Sequence, residues 1–125
     1  MNILIRNTSS TPIYEQIVSQ IKAMIISGAL QEGDALPSMR LLAKELRISV
    51  ITTKRAYEEL ERDGFIFSVT GKGSFVAEKN MELIREQHLK EVEAHLQAIV
   101  ELAVRCGLSL EELQSMLALF YGEKD

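Results

Sequence analysis

Leu36-Pro37-Ser38-Met39-Arg40-Leu41-Leu42-Ala43-Lys44-Glu45-Leu46, followed after Arg47-Ile48 by Ser49-Val50-Ile51-Thr52-Thr53-Lys54-Arg55-Ala56-Tyr57, is the stretch that decides the fold. Each half opens on a serine, and apolar residues recur behind it at helical spacing. Ser38 and Ser49 are therefore N-cap candidates, whose short side-chain oxygen accepts a free N–H of the first turn. The first helix, Met39–Leu46, carries Leu41, Leu42 and Leu46. The second, Val50–Asp63, turns Thr53, Ala56, Tyr57 and Leu60 inward and stops at Gly64. Two short helices joined by so brief a turn predict a helix-turn-helix. Across 36–56 the cations Arg40, Lys44, Arg47, Lys54 and Arg55 face one acid, Glu45.

Working outward, two β-prone runs follow, Phe65–Val69 and Ser74–Ala77, joined by Thr70-Gly71-Lys72-Gly73. That is a hairpin signal with a glycine-bearing connection. Upstream, Thr11-Pro12 predicts another helix start, with Thr11 as N-cap and Pro12 at the first helical position. Ile13, Ile17, Ile21 and Met24 recur at helical spacing, and Gly28 ends that helix as a left-handed residue. Residues 28–37 read as a connecting loop with a turn at Gly33-Asp34. Helix, helix, helix, hairpin is the order of a winged helix-turn-helix, expected over residues 1–79.

Past Asn80 the pattern changes. Leu89, Val92, Leu96, Ile99, Ala103 and Cys106 are spaced three and four apart in alternation, a heptad-like seam on one long helix. Gly107 stops it, and Ser109-Leu110-Glu111-Glu112 has the form of a capping box, with Leu108 placed to staple onto Leu113. A last helix carries Leu110, Leu113, Leu117 and Phe120 and is expected to end before Gly122. Two amphipathic helices on residues 80–125 have too little chain to bury both apolar faces alone. Leu89, Val92, Leu96, Ile99, Ala103, Leu113, Leu117 and Phe120 are accordingly expected to form a homodimer interface. The fold class expected is mainly α with a small β-hairpin wing, followed by a two-helix dimerisation tail.

The chain has 125 residues, 46% hydrophobic and 26% charged, the balance of a globular domain. No apolar run approaches the ~20 residues that cross a bilayer, so no membrane role is expected. The Met1–Arg6 stretch lacks the features of a signal peptide, and Cys106 has no second cysteine to pair with. The cytoplasm is the expected compartment. The net charge of −4 argues against a nucleic-acid partner only if the sum is taken alone. Residues 1–79 hold ten Lys/Arg and nine Asp/Glu, residues 80–125 four and nine, so the acidity belongs to the tail. Affinity for a polyanion follows the grouping of cations rather than their total.

A helix-turn-helix reads DNA because the first turn of its second helix meets base edges in the major groove while neighbouring groups hold phosphates. Arg40 offers a fork of donors suited to a guanine edge or a phosphate. Ser49 and Thr52 supply hydroxyls, Lys54 and Arg55 cations on the outer face, and the N-terminal N–H groups attract a phosphate oxygen. Thr70, Gly71 and Lys72 form a wing tip whose glycine lets backbone approach the sugar-phosphate chain. Catalytic readings are weak. Gly71-Lys72 is no phosphate loop, since Ile66 stands where the earlier glycine belongs and Gly73 follows the lysine. His88 and His95 are seven apart, too far for the usual joint ligation of a metal, so no metal or other cofactor is expected. Cys106 reads as a packed small residue, and Glu58-Glu59-x-Glu61 as a solvated helix face that keeps phosphate from the rear of the helix.

Pro12-Ile13-Tyr14-Glu15-Gln16, Gly33-Asp34-x-Leu36-Pro37-Ser38-x-Arg40-x-Leu42-Ala43, Ala56-Tyr57-x-x-Leu60-x-x-x-Gly64 and Gly71-Lys72-Gly73-Ser74-Phe75-Val76 together resemble the GntR-type bacterial transcription regulators. The resemblance spans about residues 10–78 and rests on several matching offsets at once. It implies a sequence-specific, DNA-binding regulator, a repressor acting on double-stranded operator DNA. By position it assigns DNA contact to Arg40, Ser49, Thr52, Lys54 and the wing residues Thr70, Gly71 and Lys72; Ser38, Val50, Ile51 and Arg55, which lie at the two helix starts and on the outer face, complete the candidate DNA-contacting set. Val50-Ile51 stands where the family often has a polar pair, and such apolar groups suit thymine methyls. The short helical tail is similar to that of the YtrA subfamily, which implies homodimers on a two-fold symmetric operator and control of a transporter operon. A small-molecule effector is compatible with this picture, although no residue set marks its pocket. The alternative from another class is a winged-helix adaptor that binds protein and not DNA.

Overall fold

The computed structural model describes residues 1–123, divided into one compact unit spanning Met1–Ile84 and a second beginning at Arg85. The first holds α1 (Ile13–Ser27), α2 (Met39–Leu46), α3 (Val50–Arg62), β1 (Ile66–Val69) and β2 (Gly73–Val76). Helix α4 (Met81–Cys106) begins in the first unit and continues in the second, where α5 (Leu110–Gly122) follows. The chain is thus mostly helical with one small antiparallel sheet, the winged-helix class expected.

Helix α1 lies across α3, and α3 across α2, and their facing side chains make the core. Ile17, Ile21, Ala56 and Leu60 are fully buried, joined by Leu42, Tyr57, Ile66 and Val76. Thr53, Ala56, Tyr57 and Leu60 are the buried line of α3, as its period predicts. Leu41, grouped with the apolar residues of α2, is instead exposed, because Leu42 and Ala43 take the inner face. Lys22, buried on α1, pairs with Asp63 at 2.8 Å and lies over the Phe65 ring. The aromatic face and the carboxylate together allow the ammonium to sit inside.

The start of α1 departs from expectation. Pro12, not Thr11, occupies the N-cap, with extended backbone (φ −53°, ψ 147°) and no side-chain cap. Its carbonyl opens the helical ladder by accepting from Gln16 N. The other end is as expected: Gly28 adopts φ 88°, a left-handed conformation that glycine takes without the Cβ penalty. Helix α5 also runs one residue further than expected, taking in Gly122.

The hairpin pairs Ile66 with Val76 and Val69 with Gly73, and Phe67 stacks on Phe75 with ring centroids 5.7 Å apart. Its strands begin one residue later than Phe65 and one earlier than Ser74. The preceding loop is more ordered than its composition predicts. Ala35 bridges Phe75, Leu36 N donates to Ser74 O and Val76 N donates to Asp34 O. Residues 33–36 therefore add a short third rung to the outer edge of β2.

An extended segment ahead of α1 is held by two glutamines. Gln16 Oε1 accepts from Arg6 N at 2.8 Å while its Nε2 donates to the carbonyls of Arg6 and Thr11. One turn on, Gln20 repeats the exchange with Leu4, and Ile3 is buried against the core. Each side-chain amide imitates a strand neighbour, giving the backbone one donor and one acceptor.

Candidate nucleic-acid interface

Ser38 and Ser49 each perform the expected cap. Ser38 Oγ accepts from Leu41 N and Ser49 Oγ from Ile51 N, both at 3.1 Å. Between the helices Arg47 adopts φ 57°, the one positive-φ residue other than glycine among the described residues. Its left-handed conformation closes α2, with Ile48 N returning to Ala43 O. Tyr57 of α3 locks the pair from within by donating its hydroxyl to Pro37 O at 2.7 Å. Burial pushes this phenol above its ordinary range, and Glu45 adds to the shift. The turn and both helix starts are thereby fixed from the core side.

On the outer side Arg40, Lys44, Arg47, Ser49, Val50, Ile51 and Lys54 are all exposed, and Thr52 is half-buried. Arg40, Lys44, Arg47 and Lys72 have no acidic partner among the described residues. Lys54 sits 3.9 Å from Glu58, an exposed pair too weak to withhold it from another anion. Arg55 differs. It stacks 3.9 Å over the Tyr14 ring and donates to the Tyr14 hydroxyl, which in turn donates to Glu15. This side chain is drawn to the α1 side, away from the role of a free cation on the outer face. The Tyr14 phenol is raised by desolvation and by its bond to Glu15.

Thr70, Gly71 and Lys72 form the exposed tip between β1 and β2, with Gly71 at φ 78°. The wing is tied back to α3 through Glu61, whose Oε1 accepts from Ser68 N at 2.9 Å. The acidic run is thus not merely a solvated face: Glu58 and Glu59 pair along the helix, and Glu61 holds a strand. The contacts of Gln16, Gln20 and Glu61, and that of Tyr14 with Arg55, had no local signal in the sequence, since each partner lies on another segment.

The second unit presents apolar surface. Leu89, Val92, Leu96 and Ile99 on α4, and Leu117 and Phe120 on α5, are each at least 44% exposed, while Ala103 is buried and Leu113 half-buried. Helix α5 has no buried residue, and α4 and α5 make no extended packing contact with each other. Around the turn an apolar cleft of about 580 Å³ is lined by residues that include Ile99, Ala103, Leu108, Leu113, Leu117 and Phe120. The capping box forms as expected, with Ser109 and Glu112 in reciprocal contact. Cys106 is exposed and not packed, its thiol 3.6 Å from Ala103 O, because nothing among the described residues covers the end of the seam. His88 and His95 are exposed, and His95 Nδ1 donates to Glu91 O. No helix among the described residues is long and apolar enough to cross a membrane.

Comparison with known proteins agrees with this geometry. The profile of "Bacterial regulatory proteins, gntR family" matches residues 13–76. "HTH-type transcriptional repressor YtrA" of Bacillus subtilis is 36% identical over 109 residues, 87% of this chain and 84% of that one. A transcriptional regulator from Oenococcus oeni superposes with TM-score 0.75 at 27% identity, over 94% of this chain and 97% of the other. AraR(DBD), solved in complex with operator ORX1, gives TM-score 0.55 at 28% identity, over 62% of this chain and 96% of the other.

Proposed function

Because this chain belongs to the GntR family of bacterial regulatory proteins, whose members regulate transcription by binding DNA and are not enzymes, we propose that it is a homodimeric repressor of a two-fold symmetric operator. Residues 49–55 of each protomer enter one major groove, with the wing tip Thr70-Gly71-Lys72 alongside on the backbone. The half-sites then lie about one helical turn, or a multiple of it, apart. Ser38, Arg40, Ser49, Val50, Ile51, Thr52 and Lys54 make the contacts, whereas Arg55 acts through Tyr14. The observation that carries this reading is the capped first turn of α3, standing open to solvent beside exposed cations without acidic partners. The operator-bound AraR(DBD) relative supports it.

The dimer is supported by the exposed apolar faces of α4 and α5, which bury almost nothing within the chain. Exposed leucines at this density mark an interface. Occupying promoter DNA suffices for repression, so the reaction involves no covalent step and the compartment is the cytoplasm. The subfamily resemblance extends the reading to control of a transporter operon. Salt-dependent binding to the DNA upstream of the chain's own gene tests it. Arg40→Ala is expected to weaken binding by about tenfold, the range of one good base contact. Lys72→Ala is expected to weaken it evenly across sequences and to reduce the salt slope by about 1. Unchanged affinity in both variants would exclude this docking.

A further inference from the structure

Ile51 is 79% exposed and Val50 44% exposed, and both stand on the first turn of α3. The core has no use for them there, since α3 packs through Thr53, Ala56, Tyr57 and Leu60. Their backbone is nevertheless held. Ser49 Oγ accepts from Ile51 N at 3.1 Å, and Thr53 Oγ1 donates to Ser49 O at 3.3 Å. The direction in which the Ile51 side chain leaves the helix is therefore set by the cap. Both residues are β-branched, and in a helix such side chains are nearly confined to one χ1 rotamer. Their methyl groups are in position before any partner arrives, so little rotamer entropy is lost on contact.

Neither side chain can donate or accept a hydrogen bond. On a base edge in the major groove, the apolar group that can meet them is the thymine methyl. Arg40 and Lys44 on α2 and Arg47 in the turn before α3 are exposed and have no acidic partners among the described residues, so the occupant of this surface is a polyanion rather than an apolar protein.

We propose that Ile51, with Val50 beside it, is a specificity-determining residue that recognises thymine methyl groups, so that each operator half-site carries T·A pairs where the first turn of α3 enters. This rests on the reading of α3 as the DNA-facing helix. It adds a preference for T·A pairs that cations holding phosphate do not supply and that an arginine on a guanine edge does not supply either.

The test uses the full chain and a random-sequence duplex library. Duplexes are selected by binding, and the winning duplex is rebuilt with deoxyuridine replacing one thymidine at a time. Each replacement removes a single methyl and no hydrogen-bonding group. At one or two positions in each half-site the replacement is expected to weaken binding about fourfold, the value of one buried methyl-sized group. Ile51→Ala is expected to show that loss already on the thymidine duplex and no further loss on the deoxyuridine duplex, while Ile51→Val retains the preference. The exposed position leaves folding intact, which an unchanged melting temperature verifies. A clear consensus whose deoxyuridine versions all bind the native chain equally well overturns the methyl readout and leaves DNA binding standing. So does an Ile51→Ala chain that still distinguishes the two duplexes. No sequence-selective retention at any salt concentration overturns both this proposal and the reading beneath it.

Discussion

Tyr57 reaches from α3 across 2.7 Å to the carbonyl of Pro37, just ahead of the α2 cap. Tyr57→Phe keeps the ring and leaves that carbonyl without its donor, at an expected loss of about 1–3 kcal/mol in a denaturant titration. The hydroxyl also sets an alkaline limit. A free phenol ionises near its ordinary value of 10.0, whereas burial holds the folded Tyr57 protonated beyond it. The stabilisation from Tyr57 is thus complete below about pH 10 and declines above it, as the unfolded chain releases a proton that the folded one keeps. Native protein is expected to lose stability more steeply on that limb than Tyr57→Phe, as melting temperatures against pH would record. At this scale Ser38 and Ser49 were legible, because a cap needs only its own first turn. Arg47 was not: glycine is the usual signal for a left-handed residue, and an arginine at φ 57° announces nothing. Thr11 misled because its neighbour Pro12 can take the cap position with extended backbone.

Between elements, the contact that matters to the wing is Glu61 with Ser68 N. Ser68 also meets Ser74 across the strands, hydroxyl to hydroxyl at 3.1 Å. Glu61→Ala is expected to cost no more than about 1 kcal/mol of global stability, as for a single solvent-accessible hydrogen bond. The same change is expected to speed hydrogen exchange at Ser68 and to weaken DNA binding through a looser wing tip. Unaltered exchange would show that the hairpin holds its own position. The hairpin itself was readable from Gly71 and Gly73 between β-prone runs. The third rung at residues 33–36 was not, since its pairing with Ser74 and Val76 joins segments about forty residues apart.

For the molecule as a whole, the proposed dimer rests on the apolar seams of α4 and α5. Their periodicity was plain in the sequence, and the exposure of Leu96, Ile99, Leu117 and Phe120 gives it a physical meaning. Leu96→Asp or Leu117→Asp is expected to yield monomers by analytical ultracentrifugation and a melting temperature that no longer rises with protein concentration. Both variants are expected to bind a full symmetric site no better than a half-site, because linkage between the two DNA units is lost. The region ahead of α1 offered no periodicity to read, yet Gln16 and Gln20 stitch it down at Arg6 and Leu4. Deleting residues 1–6 is expected to lower the melting temperature by about 5 °C or more, because Ile3 leaves the core and a buried amide loses two of its three bonds. Anyone fusing a purification tag to this protein would therefore do well to add it ahead of Met1 without trimming. Residues 3–6 are a sewn hem, and unpicking it frays the garment from the edge inward.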